Sequence, residues 1–359
     1  MEGMEGQVGQ SGGEGLKGKP RAANLAKHKF GWKARLMDIM RDEIKRHSTR
    51  DKVVGNETQA KRRAEMFQFF TELRILGYKI EDPKNFCNKH IHALCLDWEA
   101  RGLAAKTIVN RISMMRWFAG LIGKEGMVGA PETYVRDPKS VQIQRAAVED
   151  KSWGAKGIIP EEKIAEVAEY CPETAAQMMA CLGLGARVRE AVCLRPHLVL
   201  DGEFITLQDG TKNGRRRTFR ATPKMLEALE HLQKITPGKF DYLGSCRTLK
   251  QSRRRFYTVM ERFGITRKGL GITAHGLRAQ FLIDMHEEET GVAAPVRGGM
   301  PGDCDPVTKH KADRKVAEAA GHSRTSVTTA YCGSYQAMAK ERARQEALAA
   351  RGKVQDSEG

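Results

Sequence analysis

Most of the chain is written in the helical period, and residues 197–222 replace it with alternation. From about Leu25 to Lys124 apolar residues recur three and four places apart. "ETQAKRRAEMFQFFTELRILG" aligns Ala64, Phe67, Phe70 and Leu73, and "AAKTIVNRISMMRWFAGLIGK" aligns Ile108, Ile112, Met115 and Phe118. "NFCNKHIHALCLDWEARGL" repeats the theme, and Gly77, Gly102 and Gly123 close the patterns as helix stops. In contrast, "HLVLDGEFITLQDGTKNGRRRTFRAT" alternates and carries Asp201-Gly202 and Asn213-Gly214 turn signals, predicting three short antiparallel strands. The expected fold class is mainly α with a small antiparallel β-sheet.

The lapses in periodicity divide the chain. Residues 1–24 are Gly-rich and polar and read as a disordered tail; residues 25–124 read as a compact bundle of about four helices. Over 125–157 the stripe disappears and "GAPETYVRDPKSVQIQ" brings two prolines, which predicts an interdomain linker. A second domain is expected over 158–335, opening near Pro160, a residue suited to a first helical turn. Its helical patterns fall at about 160–170, 173–183, 187–195, 223–235, 248–263, 275–289 and 313–320, with a long loop between Gly291 and Asp313. Residues 336–359 read as a C-terminal amphipathic helix and tail.

Charge narrows the partners. Lys and Arg number 61 against 44 Asp and Glu, a formal net charge of +17, and such a surplus points to nucleic acid, where neutralising phosphates releases counterions. No stretch approaches the ~18 continuous apolar residues of a membrane helix, and the N-terminus lacks the apolar segment of a signal peptide. The eight cysteines, Cys87, Cys95, Cys171, Cys181, Cys193, Cys246, Cys304 and Cys332, form no C-x-x-C pair and predict reduced core residues of a cytosolic protein. The sequence shows no phosphate-binding G-x-x-x-x-G-K-[ST] loop and no acidic triad for two magnesium ions.

Four separated places carry candidate chemistry. In "GLGARVREAVCLRP", Arg187 opens a helix with Glu190 one turn on, close enough to orient it. In "GTKNGRRRTF", Lys212 lies at the lip of the hairpin, followed by Arg215, Arg216 and Arg217. In "TAHGLRAQF", His275 and Arg278 share a helix face, offering an imidazole and a guanidinium to one point. In "GHSRTSVTTAYCGSY", His322 follows Gly321, Tyr331 comes nine residues later, and Tyr335 is its rival four residues beyond. Taken singly, each has an ordinary reading: a surface ion pair, a solubilising lysine, a chance H-x-x-R, a packed tyrosine ring.

In this order, Arg, Lys on a hairpin, His-x-x-Arg, Gly-His and Tyr resemble the catalytic signature of the tyrosine recombinases, the phage-integrase family. "GLGARVREAVCLRP" is similar to the family's first arginine box, "AHGLRAQF" to its second, and "AGHSRTSVTTAY" to its Gly-His-to-Tyr segment. "WEARGLAAKTIVNRISMMRWF" resembles its helical core-binding domain, and the likeness spans roughly residues 30–340. The connection over 291–313 is longer than the family's usual one.

The resemblance implies a two-domain C-clamp, a helical core-binding domain joined to a tyrosine-recombinase catalytic domain. It implies an enzyme that cuts and rejoins double-stranded DNA through a 3′-phosphotyrosyl bond, independent of metal and ATP. Tyr331 would be the nucleophile, His275 the candidate base and Lys212 the general acid. Arg187 and Arg278 would bind the phosphate, His322 would donate a hydrogen bond to it, and Glu190 would hold Arg187. The implied setting is a bacterial cytoplasm, associated with the nucleoid. The implied assembly is a homo-tetramer on two DNA sites, the C-terminal helix docking in trans, with integration or excision of a mobile element as its task. The rival expectations are a type IB topoisomerase-like or resolvase activity and a non-catalytic DNA-binding regulator.

Overall fold

The computed structural model describes residues 31–41, 43–47, 53–244 and 247–357; the tail assigned to residues 1–24 lies outside them. The chain divides after Ile143 into two compact units.

The first unit packs four α-helices: α1 (Trp32–Met40), α2 (Asn56–Ile75), α3 (Asn88–Ala100) and α4 (Ala105–Leu121). The stripe of α4 is buried as the spacing predicts, with Ile108, Ile112, Met115 and Phe118 all fully covered. The buried line of α2 differs from the predicted one. Met66, Phe69, Phe70 and Leu73 face the core, while Ala64 is exposed and Phe67 only half-buried. Arg62, a cation on the same helix, is buried. Its guanidinium donates to the carbonyls of Ile44 (2.9 Å) and Arg46 (2.6 Å) and lies 4.3 Å from the Trp117 ring centroid. A basic residue joins the inner face here because carbonyls and an aromatic ring satisfy it.

Residues 125–157, within which the two units meet in sequence, alternate exposed positions with single buried anchors. Val128, Tyr134 and Val141 belong to the core of the first unit, and Ala147 and Trp153 to that of the second. The Tyr134 hydroxyl donates to Asn88 and accepts from the Gly129 amide, both at 2.8 Å. Apolar anchors spaced singly between prolines leave no period to read, yet each is fully used.

The second unit holds α5 (Pro160–Tyr170), α6 (Pro172–Gly183), α7 (Val188–Val192), β1 (Leu200–Asp201), β2 (Phe204–Leu207), β3 (Arg217–Arg220), α8 (Pro223–Lys234), α9 (Leu249–Arg262), α10 (Ala274–Thr290), α11 (Pro306–Ala319), α12 (Thr329–Cys332) and α13 (Tyr335–Ser357). The strands form the antiparallel sheet β1-β2-β3 with Ile205 opposite Phe219 and Leu207 opposite Arg217. Alternation then turns Ile205, Leu207, Arg217 and Phe219 inward together. The helix α10 crosses the core, with Leu277, Leu282 and Ile283 fully covered. Two boundaries differ from the sequence reading. The helix predicted over 187–195 is the short α7. The helix predicted over 313–320 begins at Pro306, because the Asp305 carboxylate accepts from the amides of Val307 and Thr308, both at 2.9 Å, and proline suits the first turn. The long loop therefore ends at residue 305.

Candidate active site

Five elements bring the candidate residues together. Arg187 precedes α7; Arg217 opens β3; His275 and Arg278 lie in the first turns of α10; Gly321 and His322 follow α11; and Tyr331 is carried by α12. Three backbone carbonyls and one carboxylate hold the three arginines. The Ala320 carbonyl accepts from Arg187 Nη2 (2.9 Å) and from Arg278 Nη2 (2.8 Å). The Gly185 carbonyl accepts from Arg217 Nη2 (3.1 Å) and from Arg278 Nη1, and the Ala319 carbonyl accepts from Arg217 Nη1. Glu190 accepts from Arg187 Nη1 (2.7 Å), from the Arg187 amide (2.8 Å) and from Arg217 Nη2 (2.9 Å).

Two glycines make these contacts possible. Gly185 has φ +56°, and a Cβ there would fall 2.4 Å from the Phe281 ring. Gly321 has φ +69°, and a Cβ there would fall 2.9 Å from Arg217 Cδ. A side chain at either place would push apart the carbonyls that organise the guanidinium groups.

The electrostatic balance is lopsided by construction. Glu190 is the only carboxylate among the described residues that pairs with these three guanidiniums. Burial raises its pKa, but Arg217, Arg187, the Arg187 amide and Arg278 outweigh it and hold the carboxyl below its ordinary range. Arg217 is 4% exposed. Burial, with Arg278 beside it, pushes its pKa down to about 9 while Glu190 opposes, so it remains charged at neutral pH. Guanidinium charge in excess of carboxylate, on donors already fixed in space, is what an anionic oxygen needs to be bound.

Tyr331 is half-buried and meets this cluster directly. Its hydroxyl lies 3.4 Å from Arg278 Nε, and its ring centroid is 5.7 Å from that of His275. Tyr335 opens α13, with Lys309 6.0 Å from its ring. A groove of about 330 Å³, lined by Arg187, Arg189, Arg253, Tyr257, His275 and Arg278, gives access to the guanidiniums from outside.

Both histidines are pushed toward the neutral form. For His275, which keeps an exposed edge although its ring is crowded, the causes are desolvation, then Arg278, Lys151, Arg187 and Arg267. For His322 they are desolvation, then Arg187, Arg278, Lys212 and Arg217. Lys212 lies in the turn before β3, exposed, its ammonium without a partner among the described residues. Its charge is among the causes that lower the His322 pKa.

Sequence reasoning missed Arg217. The run Arg215–Arg217 was visible, but only strand alternation from Phe219 turns the third arginine inward. Lys151, whose charge reaches His275, gave no signal because it falls in the stretch read as linker.

A pH effect on stability follows. Burial comes first among the causes that lower His90, His275, His286 and His322, so the folded chain binds fewer protons than the unfolded one just below a pH of about 6.5. Stability therefore rises with pH through that window and falls on acidification. Urea unfolding is expected to show a lower midpoint at pH 5.5 than at pH 7.5, with a smaller drop in His275→Gln. Equal midpoints in wild type would contradict the assignment.

Comparison with known proteins gives the class first. The chain superposes on the lambda integrase dimer bound to a COC′ core site with a TM-score of 0.53 at 13% identity, covering 85% of this chain and 96% of that one. It superposes on the lambda integrase tetramer bound to a Holliday junction with a TM-score of 0.54 at 15% identity, covering 89% and 82%. For the Tn1549 transposon integrase in complex with circular intermediate DNA the TM-score is 0.54 at 13% identity, covering 89% and 100%. The fold is that of the tyrosine recombinases. More particularly, residues 37–128 match the family model of the phage integrase N-terminal domain. No curated protein sequence matches the chain.

Proposed function

We propose that the protein is a site-specific tyrosine recombinase that cuts and rejoins double-stranded DNA through a 3′-phosphotyrosyl intermediate. The observation that carries this reading is the meeting of Tyr331 with Arg278 and His275 at a cluster whose guanidiniums outnumber its carboxylates. A phosphodiester gains negative charge on its nonbridging oxygens as a nucleophile arrives, and fixed donors aimed there lower the barrier. Arg187 and Arg278 take that role, with His322 as a further donor. His275, pushed toward its neutral form, accepts the Tyr331 proton as the tyrosine oxygen bonds to phosphorus. The bond from phosphorus to the 5′ oxygen breaks, and Lys212 protonates the leaving oxygen. The DNA then carries a free 5′ hydroxyl and the protein a 3′-phosphotyrosine; reversal on a different 5′ hydroxyl completes exchange. Glu190 holds Arg187 and Arg217 in place.

Two assembly features belong to the same proposal. Solved relatives of this fold are an integrase dimer and tetramer on DNA and a transposon integrase on circular intermediate DNA. A tetramer on two sites, with mobile-element integration or excision as the task, is the reading they support.

The test uses nicked suicide duplexes tiled across the DNA flanking the reading frame. Wild type and Tyr335→Phe are expected to give a protein-linked strand on a denaturing gel, and Tyr331→Phe none, while all three still shift the DNA. An adduct in Tyr331→Phe that disappears in Tyr335→Phe would transfer the nucleophile to Tyr335. Exchange between two marked sites, against relaxation alone, separates recombination from a topoisomerase-like activity. DNA binding that never yields an adduct in wild type points to a regulator.

A further inference from the structure

Residues 291–305, the connection between α10 and α11, take no part in the chemistry above, yet they carry a cation with three carboxylate partners. Arg297 donates through Nε to Asp150 (2.9 Å) and through Nη1 to Asp284 (2.7 Å) and Glu287 (2.6 Å). Asp284 and Glu287 belong to α10, the helix of His275 and Arg278. Asp150 belongs to the segment that leads into the second unit. The connection is pinned again where the Ala294 amide donates to Glu287 (2.9 Å).

The two pieces that Arg297 joins are also the two that close on the tyrosine helix. At its start, the Ala147 amide donates to the Thr329 carbonyl (2.7 Å). At its end, Gly333 is pinched so closely that a Cβ would lie 3.0 Å from the Ala147 carbonyl oxygen and 3.1 Å from the Val296 amide nitrogen. The helix itself is the single turn Thr329–Cys332. One turn has no cooperative stability of its own, so its place is set by what packs against it.

We propose that Arg297 is a positioning residue for Tyr331: by tying residues 147–150 and the turn 295–297 to α10, it fixes the tyrosine helix against Arg278 and His275. The mechanical link is continuous, from α10 through Arg297 to both holders of α12. The role in catalysis rests on Tyr331 being the nucleophile, as proposed above. Its size follows from geometry, since a misplacement of about 1 Å at a reacting group costs on the order of 10²-fold in rate. Cys332, 2% exposed in the core, supplies a second anchor, so loss of Arg297 loosens the helix without unfolding the unit.

The test uses full-length Arg297→Met, which removes the charge, and Arg297→Lys, which keeps it. Hydrogen exchange of the amides over 328–333 is expected to be about tenfold faster or more in Arg297→Met, the amides of β2 and β3 being unchanged. On a suicide duplex from the flanking DNA, the adduct is expected to form about tenfold more slowly at saturating DNA, with unchanged affinity and with Arg297→Lys recovering most of the rate. A merely structural role would lower melting and affinity along with rate. Equal exchange over 328–333 in Arg297→Met and wild type overturns the brace, whatever DNA shows. Faster exchange with an unchanged adduct rate overturns the positioning role. Tyr331→Phe is run in parallel: an adduct there, or none in wild type on any tiled duplex, counts against the proposed function, and exchange still decides the brace.

Discussion

Arg278→Lys is expected to slow single-turnover DNA cleavage about 10²- to 10³-fold, the range for removing one preorganised donor to a developing oxyanion, while affinity changes only a few fold. Arg278 is 1% exposed, and its guanidinium serves three directions at once. One nitrogen goes to the Gly185 carbonyl, one to Ala320 at 2.8 Å and Nε to the Tyr331 hydroxyl at 3.4 Å. A lysine ammonium is a single point on a flexible stem and cannot span both carbonyls while facing the tyrosine. In the proposed function DNA affinity is spread over many phosphate contacts, as a net charge of +17 allows, so losing one planar donor leaves it nearly intact. The comparison is made at saturating suicide substrate, with thermal melting as the control for folding. A rate within about threefold of wild type would show that the scissile phosphate is not held at this cluster.

How much of this was legible in the sequence depends on where each signal came from. His275 and Arg278 were readable because three residues along a helix share a face, and α10 is a helix with an unbroken pattern. The inner stripe of α4 was readable for the same reason. The stripe of α2 was misplaced because Phe67, Phe69 and Phe70 offer two overlapping lines, and only packing against the other helices selects Met66, Phe69, Phe70 and Leu73. Arg217 was illegible as a site residue because inward burial of a guanidinium depends on Glu190 and on carbonyls 32 and 102 residues away in the chain. Residues 125–157 hid for a different reason. Trp153 is buried by donating to the Thr273 carbonyl (2.8 Å) at the head of α10, a contact between segments 120 residues apart that has no local period. Helix faces announce themselves locally; carbonyl cradles and long-range anchors do not.

Glu190→Gln carries the largest expected cost in stability, about 3–5 kcal/mol, the usual penalty for removing one partner of a buried ion pair. Set against a total of roughly 5–15 kcal/mol for a folded domain, that is enough to threaten the unit near body temperature. The glutamine has the same shape, so what changes is charge. Arg217, 4% exposed, loses its only carboxylate partner among the described residues, and an amide N–H₂ comes to face guanidinium donors. The pH dependence has a definite sign. Glu190 is held below its ordinary range, so its contribution is fully present above an unfolded pKa of about 4.3 and is lost as pH falls through the lower folded value. Urea unfolding should therefore show a constant gap between wild type and Glu190→Gln from pH 6 to 8, closing only in strong acid. Sulfate offers a second readout. Three guanidiniums against one carboxylate already favour an anion, and three against none favour it more, so sulfate should stabilise the variant more than it stabilises wild type. An equal gain in both would mean that the cluster does not bind anions and that its unmatched charge is satisfied within the protein. The expected inequality ties the two properties together: the carboxylate that keeps the fold intact is also what limits how strongly the cluster attracts an anion.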